Sequence, residues 1–487
     1  MNYSDPLKNR DSIYYNKAKK ANSTSKTSKT SKTSKTSKTS KTSKTSKTSK
    51  TSKTSKTSKT SKTSKYYTPT SKASARISQG SLGSHNSSKY YTPASGSSNH
   101  SDVYNSLTKE TKSIIDDISK KPKIKKSSNL FITDKAIQKI QKFFKKYAVD
   151  EKYTLDNRVK YYKYIYNYIK DIKNNECIKY SKDKAVKYTI GDKLFLIKKI
   201  GTESVGGVIY LTVLKNVLGG NLLASKITPI IKDNHREIKI MKKLTDKVIS
   251  QKKSKHFLIM YKHFVCPPMS ILEMMKKPLG SQVSPDKRLV SINELAHGDL
   301  KMLLEDRKIL SNDELMYNIF IQTFLSIASF HNLAGHYHND THYGNFLYQK
   351  NKETGYYHYT YNNTSYYLKA CEYNIMIYDY GYATKSYKKY NKKALLDYIK
   401  IINSFMNEKD GWGFYPDLPS AEFNDVMLLI KDELTVEYDE GDKNSNIQSM
   451  IVDKFLIFLV EYYYPQFNLF IKNKPDKIIN KIPFIIG

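Results

Sequence analysis

Residues 24–65 are a pure Thr-Ser-Lys repeat, with 14 copies over 42 residues. The repeat has no side chain that could be buried, and its evenly spaced lysines repel one another, so it cannot repay the entropy lost on ordering. Two further motifs, Tyr66-Tyr67-Thr68-Pro69 and Tyr90-Tyr91-Thr92-Pro93, flank a Ser- and Gly-rich linker. We therefore predict a disordered low-complexity tail over residues 1–128 and a folded protein only after it.

Most of the excess positive charge lies in this tail. Residues 1–128 contain 29 Lys and Arg against 6 Asp and Glu, whereas the remaining 359 residues contain 54 against 39. Three interpretations of the tail stay open: an arm that contacts a polyanion such as nucleic acid, a multi-site phosphoacceptor, or a product of replication slippage that the protein tolerates. None of them identifies the function of the folded part.

Cysteine usage and hydropathy indicate the compartment. Cys177, Cys266 and Cys371 are odd in number and far apart, which argues against a disulfide framework and for a reducing compartment. No early apolar run follows a charged start, and the longest apolar stretch, Phe455 to Val460, is too short to span a bilayer. We expect a cytoplasmic protein that does not contact a membrane.

An N-terminal extension, residues 129–190, follows the tail. It contains two runs of apolar side chains at helical spacing: Ile137, Ile140, Phe143, Phe144 and Tyr147, then Val159, Tyr162, Ile165, Tyr166 and Ile169. Two amphipathic helices are expected. They either brace the domain that follows or bind a partner, and bracing is the favoured role.

The pattern changes to strands from about residue 191. An apolar run leads into a turn with several glycines, which would let backbone amides approach phosphate oxygens. A later strand carries Lys226 among apolar neighbours. The helix after it places Ile238, Met241 and Leu244 on one face. Glu237 could pair with Lys226 from the inner side of this helix, although an ordinary surface pair is equally compatible with the residues.

A long helix is expected after Ser311-Asn312-Asp313-Glu314, which looks like a capping box. Its buried stripe would be formed by apolar residues one turn apart: Met316, Phe320, Phe324 and Ile327. Further along, a polar, Tyr- and Asn-rich insertion spans roughly residues 350–371.

The polar segment 338–345 lies just before an apolar strand. It contains Asp340 and Asn345 five positions apart, and Asp379 ends a later strand, two residues before Gly381. One carboxylate to orient a hydroxyl, with an Asn and a second carboxylate to bind magnesium, is an arrangement typical of phosphoryl transfer.

Taken in order, these motifs resemble the protein-kinase superfamily from about Lys193 to about Phe405. Six segments carry the resemblance. They correspond in turn to the glycine-rich loop, the Ala-x-Lys strand, the helix whose Glu pairs with that Lys, the adenine hinge, the catalytic loop and the Asp-Phe-Gly motif: residues 201–208, 224–226, 236–238, 294–296, 330–347 and 379–381.

The resemblance implies an α+β, bilobal protein-kinase-like fold, with a β-rich N-lobe over residues 191–293 and a helical C-lobe over 294–487. It also implies an ATP- and Mg-dependent serine/threonine-type protein kinase. The catalytic residues would be Asp340, Lys226, Glu237 and His342. Asn345 and Asp379 would bind the metal. ATP would be contacted by Gly201, Gly206, Val208, Lys226, Glu294 and Ala296. Asp397 would brace the catalytic loop.

Departures from the family pattern leave the substrate open. Asn339 replaces the usual Arg, so activation by loop phosphorylation is not expected. His342 replaces the usual Lys, as in a form that resembles atypical kinases of the coenzyme-Q-biosynthesis type, and His is only partly charged near neutrality. Only 15 residues separate Gly381 from Asp397, without an Ala-Pro-Glu sequence. A kinase for a small molecule or lipid is therefore an alternative to a protein kinase.

A second alternative is a pseudokinase scaffold that presents the basic tail to a partner. Its support is Glu203, which stands where the glycine-rich loop usually has its second Gly and which would repel phosphates. The Lys-, Asn-, Ile- and Tyr-rich composition is similar to that of divergent kinases of large DNA viruses. For such a source the host cytoplasm is the expected location, with packaging into the virion as an alternative.

Two other interpretations of histidine-containing motifs are not favoured. His297-Gly298-Asp299 resembles the catalytic triplet of small-molecule phosphotransferases, but Leu304, five positions after Asp299, cannot bind metal. We interpret this triplet as the turn after the hinge. Four histidines lie between residues 331 and 342, but a zinc site is not favoured because no Cys lies nearby and the kinase resemblance already accounts for two of the histidines.

Overall fold

The computed structural model describes residues 109–119, 153–181, 186, 188–204, 207–215, 222–268, 287–386, 392–408, 417–440 and 469–487. All of them belong to the compact unit His85–Gly487. The helices in these ranges are α1 Lys109–Ser119, α2 Leu155–Ile169, α3 Lys232–Leu244, α4 Leu300–Leu304, α5 Arg307–Leu310, α6 Asp313–Ser329, α7 Lys392–Phe405 and α8 Ala421–Glu440. Among these helices, none is both long enough and apolar enough to cross a bilayer.

The strands in the same ranges are β1 Ile178–Tyr180, β2 Tyr188–Ile190, β3 Leu194–Ser204, β4 Gly207–Leu214, β5 Leu222–Pro229, β6 Met260–Cys266, β7 Arg288–Glu294, β8 Gly298–Asp299, β9 His336–Tyr337, β10 Phe346–Lys350, β11 Tyr356–Tyr361, β12 Thr364–Lys369, β13 Tyr373–Ile377, β14 Thr384–Lys385, β15 Phe470–Ile471 and β16 Phe484–Ile485. They form four sheets.

The largest sheet is antiparallel and has the order β1-β2-β3-β4-β5-β7-β6. β4 begins at Gly207, whose φ of +141° lies in the region that favours glycine. A Cβ at this position would overlap the carbonyl oxygen of Ile227 on β5. Glycine is therefore required where β4 meets β5.

α2 and α3 pack against this sheet. α3 buries Ile238, Met241 and Leu244, as its sequence periodicity predicts. α2 lies along β6, where the ammonium of Lys262 binds the carbonyl oxygens of the last residues of the helix, including Ile169 at 3.2 Å. A cation at this position stabilises the helix because it satisfies carbonyls that have no partner within the helix. The second predicted helix of the extension thus braces the sheet, which was its favoured role.

The part after β7 is built around α6, which is buried over nearly its whole length. The predicted stripe is confirmed, since Met316, Phe320, Phe324 and Ile327 are buried. The helix is capped by Asn312, whose side chain accepts the backbone N–H of Leu315 at 3.1 Å. The cap is therefore one residue later than the first residue of the predicted capping box.

Three small sheets and two helices complete this part of the fold. β13, β10 and β8 form one antiparallel sheet, which α6 contacts through β13. The predicted insertion over residues 350–371 forms the hairpin β11–β12, which pairs with β15 and β16 near the end of the chain. α7 packs against both α6 and α8. β9 pairs with β14, so the chain returns to residues 336–337 soon after β13.

Two expectations need correction. First, the predicted disordered tail extends too far, because residues 109–119 form α1 and bury Ile115 against Phe195 of the sheet. Second, the expectation of reduced cysteines is wrong for Cys177 and Cys266, which form a disulfide with their Cα atoms 5.4 Å apart. They lie 89 positions apart in the sequence, at the two edge strands of the large sheet, which curls until its edges meet. Sequence spacing does not reveal such a contact.

Three expectations lie outside the described residues. These are the disorder of residues 1–108, the helix expected around residues 137–147, and the position of Gly206. Cys371 is a free, partly buried thiol.

Candidate active site

Lys226 is the first residue of the candidate site, and it lies on β5 facing α3. Its Nζ atom donates to both carboxylate oxygens of Glu237, at 2.8 and 3.0 Å, and both side chains are buried. Lys226 is therefore held by a helix residue, as predicted, rather than directed into solvent. Burial alone would lower its pKa, but the carboxylates of Asp379 and Glu237 outweigh burial and raise the pKa well above its usual value. The side chain is an ammonium ion at neutral pH.

Asp379 approaches the same ammonium from the other side. Its Oδ1 atom lies 3.2 Å from Lys226 Nζ, although the two residues are 153 positions apart. Asp379 follows β13 with φ 61° and ψ 74°, a left-handed conformation that Asp tolerates better than most residues. Burial would raise the pKa of this carboxyl, yet the charge of Lys226 outweighs burial and holds the pKa below its usual range. Asp379 is therefore ionised and remains partly exposed.

Asp397 of α7 holds the loop 338–345 in place through hydrogen bonds to its backbone. One oxygen of this buried carboxylate accepts the backbone N–H of His338 and the imidazole of His331, at 2.7 and 2.8 Å. The other accepts the N–H of Asn339 at 2.7 Å. All three donors need this carboxylate as their acceptor, and two of them are backbone groups of the loop. The loop is therefore held in the conformation that lets both backbone groups reach Asp397. This is the bracing role expected for Asp397.

Asn339 has φ 64°, a left-handed conformation for which Asn is among the best non-glycine residues. Its side-chain amide donates to the carbonyl oxygen of Tyr382 at 2.9 Å and to the hydroxyl of Thr384 at 3.1 Å. A neutral amide thus ties the loop directly to the segment after Asp379. No charged modification of that segment is needed for this contact.

Asp340 projects from this braced loop and is contacted by three nitrogen-containing side chains. Asn345 donates its amide to the Asp340 carboxylate at 3.0 Å, and Lys400 of α7 lies 2.7 Å from the other oxygen. His342 Nε2 is 3.6 Å away. Burial would raise the pKa of Asp340, but the contacts with His342 and Lys400 outweigh it, so the pKa lies well below its usual range. Asp340 is a carboxylate that accepts hydrogen bonds.

Asn345 and Asp379, the residues predicted to bind a metal, are brought near each other by the pairing of β10 with β13. Asn345 lies just before β10, and its backbone carbonyl oxygen accepts the N–H of Tyr378 at 2.8 Å. Asp379 is the residue after Tyr378. The amide nitrogen of Asn345 binds Asp340, so the side-chain oxygen is the atom offered to a cation. One carboxylate and one amide oxygen fit magnesium, which usually takes few protein ligands and completes its shell with phosphate and water.

The residues expected to contact the nucleotide are placed along β3, β4 and β7. Gly201 lies on β3, and Val208 on β4 is buried. Glu294 ends β7, and Ala296 follows it as a partly buried residue. The Glu294 side chain faces inward and binds Arg158 of α2 through two hydrogen bonds, at 2.9 and 2.8 Å. The Glu294 side chain is therefore not offered to a ligand.

Asp299 has a structural role in the described residues. Its Oδ1 atom accepts the N–H of Met302 at 3.0 Å and caps the short helix α4. The triplet was interpreted as a turn, but its last two residues form the short strand β8, which pairs with β10 and leads into α4. The four histidines between residues 331 and 342 bind separate partners, and within the described ranges there is no group of three or more His, Cys, Asp or Glu side chains placed to hold a metal ion.

Two residues of the site were not predicted. Lys400 lies three positions after Asp397, which on a helix puts both on one face, so the spacing alone could have suggested it. Arg158 had no such signal, because it lies 136 positions from Glu294. Comparison of the sequence with models of known protein families and with curated proteins gave no match.

Proposed function

We propose that the chain is an ATP- and Mg-dependent phosphotransferase with a bilobal protein-kinase-like fold, and that it acts most readily on Ser or Thr hydroxyls of proteins. The observation that supports this best is Lys226, whose ammonium is held between Glu237 and Asp379 at 2.8 and 3.2 Å. A buried cation that joins a sheet, a helix and a metal-binding carboxylate is costly to maintain and is the arrangement that positions phosphates.

In the proposed reaction, Lys226 binds the α- and β-phosphates of ATP, and the backbone of residues 294–296 meets the adenine. Asp340 accepts a hydrogen bond from the acceptor hydroxyl and directs its oxygen at the γ-phosphorus. The new P–O bond forms as the bond to the β,γ-bridging oxygen breaks. ADP leaves with that electron pair, and the acceptor proton passes to Asp340 late in the reaction.

Asn345 and Asp379 would hold magnesium, which when bound neutralises charge on the phosphates. The contribution of the chain itself is a preorganised set of charges that does not have to rearrange during the reaction. Asp397 supports this order, since its three hydrogen bonds fix the loop that carries Asp340.

A phosphotransferase for a small molecule or lipid is the second candidate. The observation that favours it is the early return of the chain after Asp379: β14 pairs with β9, and the N–H of Ser386 binds the carbonyl oxygen of Gly335 at 3.0 Å. This pairing leaves little length for a shelf that would hold an extended peptide.

Incubation with γ-labelled ATP and magnesium tests the proposal and separates the candidates. Label in protein, including the Thr-Ser-Lys tail of the chain itself, supports a protein kinase. Label only in small molecules or lipids supports the second candidate. Magnesium-dependent nucleotide binding without transfer to any acceptor would refute both and favour a scaffold.

A further inference from the structure

The cation closest to Asp340 comes from α7 and not from the loop that carries Asp340. Lys400 Nζ lies 2.7 Å from Asp340 Oδ1, and both side chains are partly exposed. Three positions earlier on the same helix, Asp397 binds the backbone of that loop from below. One helix therefore holds the loop in place and supplies an ammonium group to its carboxylate.

His342 is less suited to this role. Its Nδ1 atom accepts the N–H of Gly344 at 3.1 Å, so the proton of the neutral imidazole is on Nε2, which faces Asp340 at 3.6 Å. With Nδ1 occupied as an acceptor, the imidazole has a single N–H to donate, and Nε2 already faces Asp340. Lys400 supplies a full charge, and an ammonium group has three donors, which allow it to bind a carboxylate and a phosphoryl oxygen at once.

We propose that Lys400 is a catalytic residue that binds the γ-phosphoryl group during transfer, in the place where the loop itself offers only His342. This inference rests on the proposed function. A hydroxyl bound to Asp340 lies about 3 Å from the carboxylate, and its oxygen must come within about 3–3.5 Å of the γ-phosphorus. The phosphoryl oxygens and the Lys400 ammonium therefore gather around the same carboxylate, where a charge-assisted hydrogen bond between them stabilises the transferred group.

The test compares magnesium complexes of ADP and of AMP-PNP, a non-hydrolysable ATP analogue, by calorimetry. Lys400→Met should weaken AMP-PNP binding about tenfold, the scale of one charge-assisted hydrogen bond, and change ADP binding less than twofold. Lys400→Gln can still donate a hydrogen bond to Asp340, but it has no charge. It should therefore show the same selective loss of AMP-PNP binding relative to ADP binding. Lys431→Met is the matched control, since Lys431 forms an ion pair of similar length, 2.8 Å with Glu408, and has similar exposure.

The outcomes distinguish the role of Lys400 from the proposed phosphotransferase function. Equal losses for ADP and AMP-PNP, or full discrimination in both Lys400 variants, would overturn the role of Lys400 while nucleotide binding by the wild type still stands. A wild-type chain that binds neither nucleotide would overturn the proposed function and the inference with it.

Discussion

The ion pair between Arg158 and Glu294 offers a test that does not depend on any activity. Arg158 of α2 donates twice to Glu294 at the end of β7, and both side chains are almost fully buried, with exposures of 2% and 9%. Arg158 also donates to the carbonyl oxygens of Lys255 and Phe257 at 3.0 and 2.6 Å, and Glu294 accepts the N–H of Ile259 at 3.2 Å. The pair thus connects the N-terminal extension to the segment expected to meet adenine.

Arg158→Met fills a similar volume but leaves the Glu294 carboxylate buried without its cation. Removing one partner of a buried pair costs about 3–5 kcal/mol of unfolding free energy. Glu294→Met leaves the guanidinium in the same situation, so a similar cost is expected. The double variant buries neither charge of the pair. Its remaining cost comes from three backbone groups that lose their partner, namely the carbonyls of Lys255 and Phe257 and the N–H of Ile259, at about 1 kcal/mol each. The double variant should therefore be more stable than the sum of the single effects predicts, by at least about 3 kcal/mol.

Urea denaturation of the four proteins, followed by circular dichroism, measures these differences. The control is Asp156→Asn, which breaks the exposed pair between Asp156 on the same helix and Lys252, 2.8 Å apart. An exposed pair contributes about 0–1 kcal/mol, so this variant should be close to wild type. If Arg158→Met costs no more than Asp156→Asn, or if the two single effects simply add, the pair is not the buried connection described above.

Three further predictions concern Asp397, the buried His256 and the Cys177–Cys266 disulfide. Asp397→Ala leaves three N–H donors unpaired and should reduce phosphate transfer at least 100-fold in single-turnover assays, with Mg·ATP affinity within about threefold; unchanged transfer would contradict the bracing role. Burial lowers the pKa of His256 to about 3, so from about pH 6.5 down to that value only the unfolded chain binds its proton. As pH decreases through this range, His256 should lower the unfolding free energy by about 1.4 kcal/mol per pH unit. His256→Gln should remove that part of the pH dependence. An unchanged pH dependence in the variant would contradict the lowered pKa. Reducing the Cys177–Cys266 disulfide, which closes a loop with a sequence separation of 89, should cost about 4–5 kcal/mol by loop entropy, whereas Cys177→Ser should be insensitive to reductant; equal urea midpoints of the wild type with and without reductant would contradict it.

Local patterns predicted the parts of this fold that depend on neighbours in sequence. The face of α3 and the stripe of α6 follow from helical periodicity. For Lys226 and Glu237 the residues alone left an ordinary surface pair equally open, and only the family resemblance favoured the buried pair. Asp397 was identified only through the family resemblance. Its three hydrogen bonds then depend on how α7 packs beneath the loop.

Contacts between distant segments could not be predicted in the same way. Arg158 and Glu294, or Cys177 and Cys266, have no common periodicity, because only the packing of α2 and the curl of the sheet bring them together. α1 was missed for a different reason. Its 11 residues follow a long polar stretch, and its burial depends on apolar side chains of the sheet.

The measurement that tests the central claim most directly is single-turnover phosphate transfer by Asp340→Asn. This substitution keeps the size of the side chain and a hydrogen-bond acceptor, but it removes the charge that orients the acceptor hydroxyl and receives its proton. The proposed function predicts that the variant binds Mg·ATP with an affinity within about threefold of wild type, while transfer falls by roughly 10²–10⁴-fold. Transfer at the wild-type rate would show that Asp340 is not the residue at which the reaction takes place.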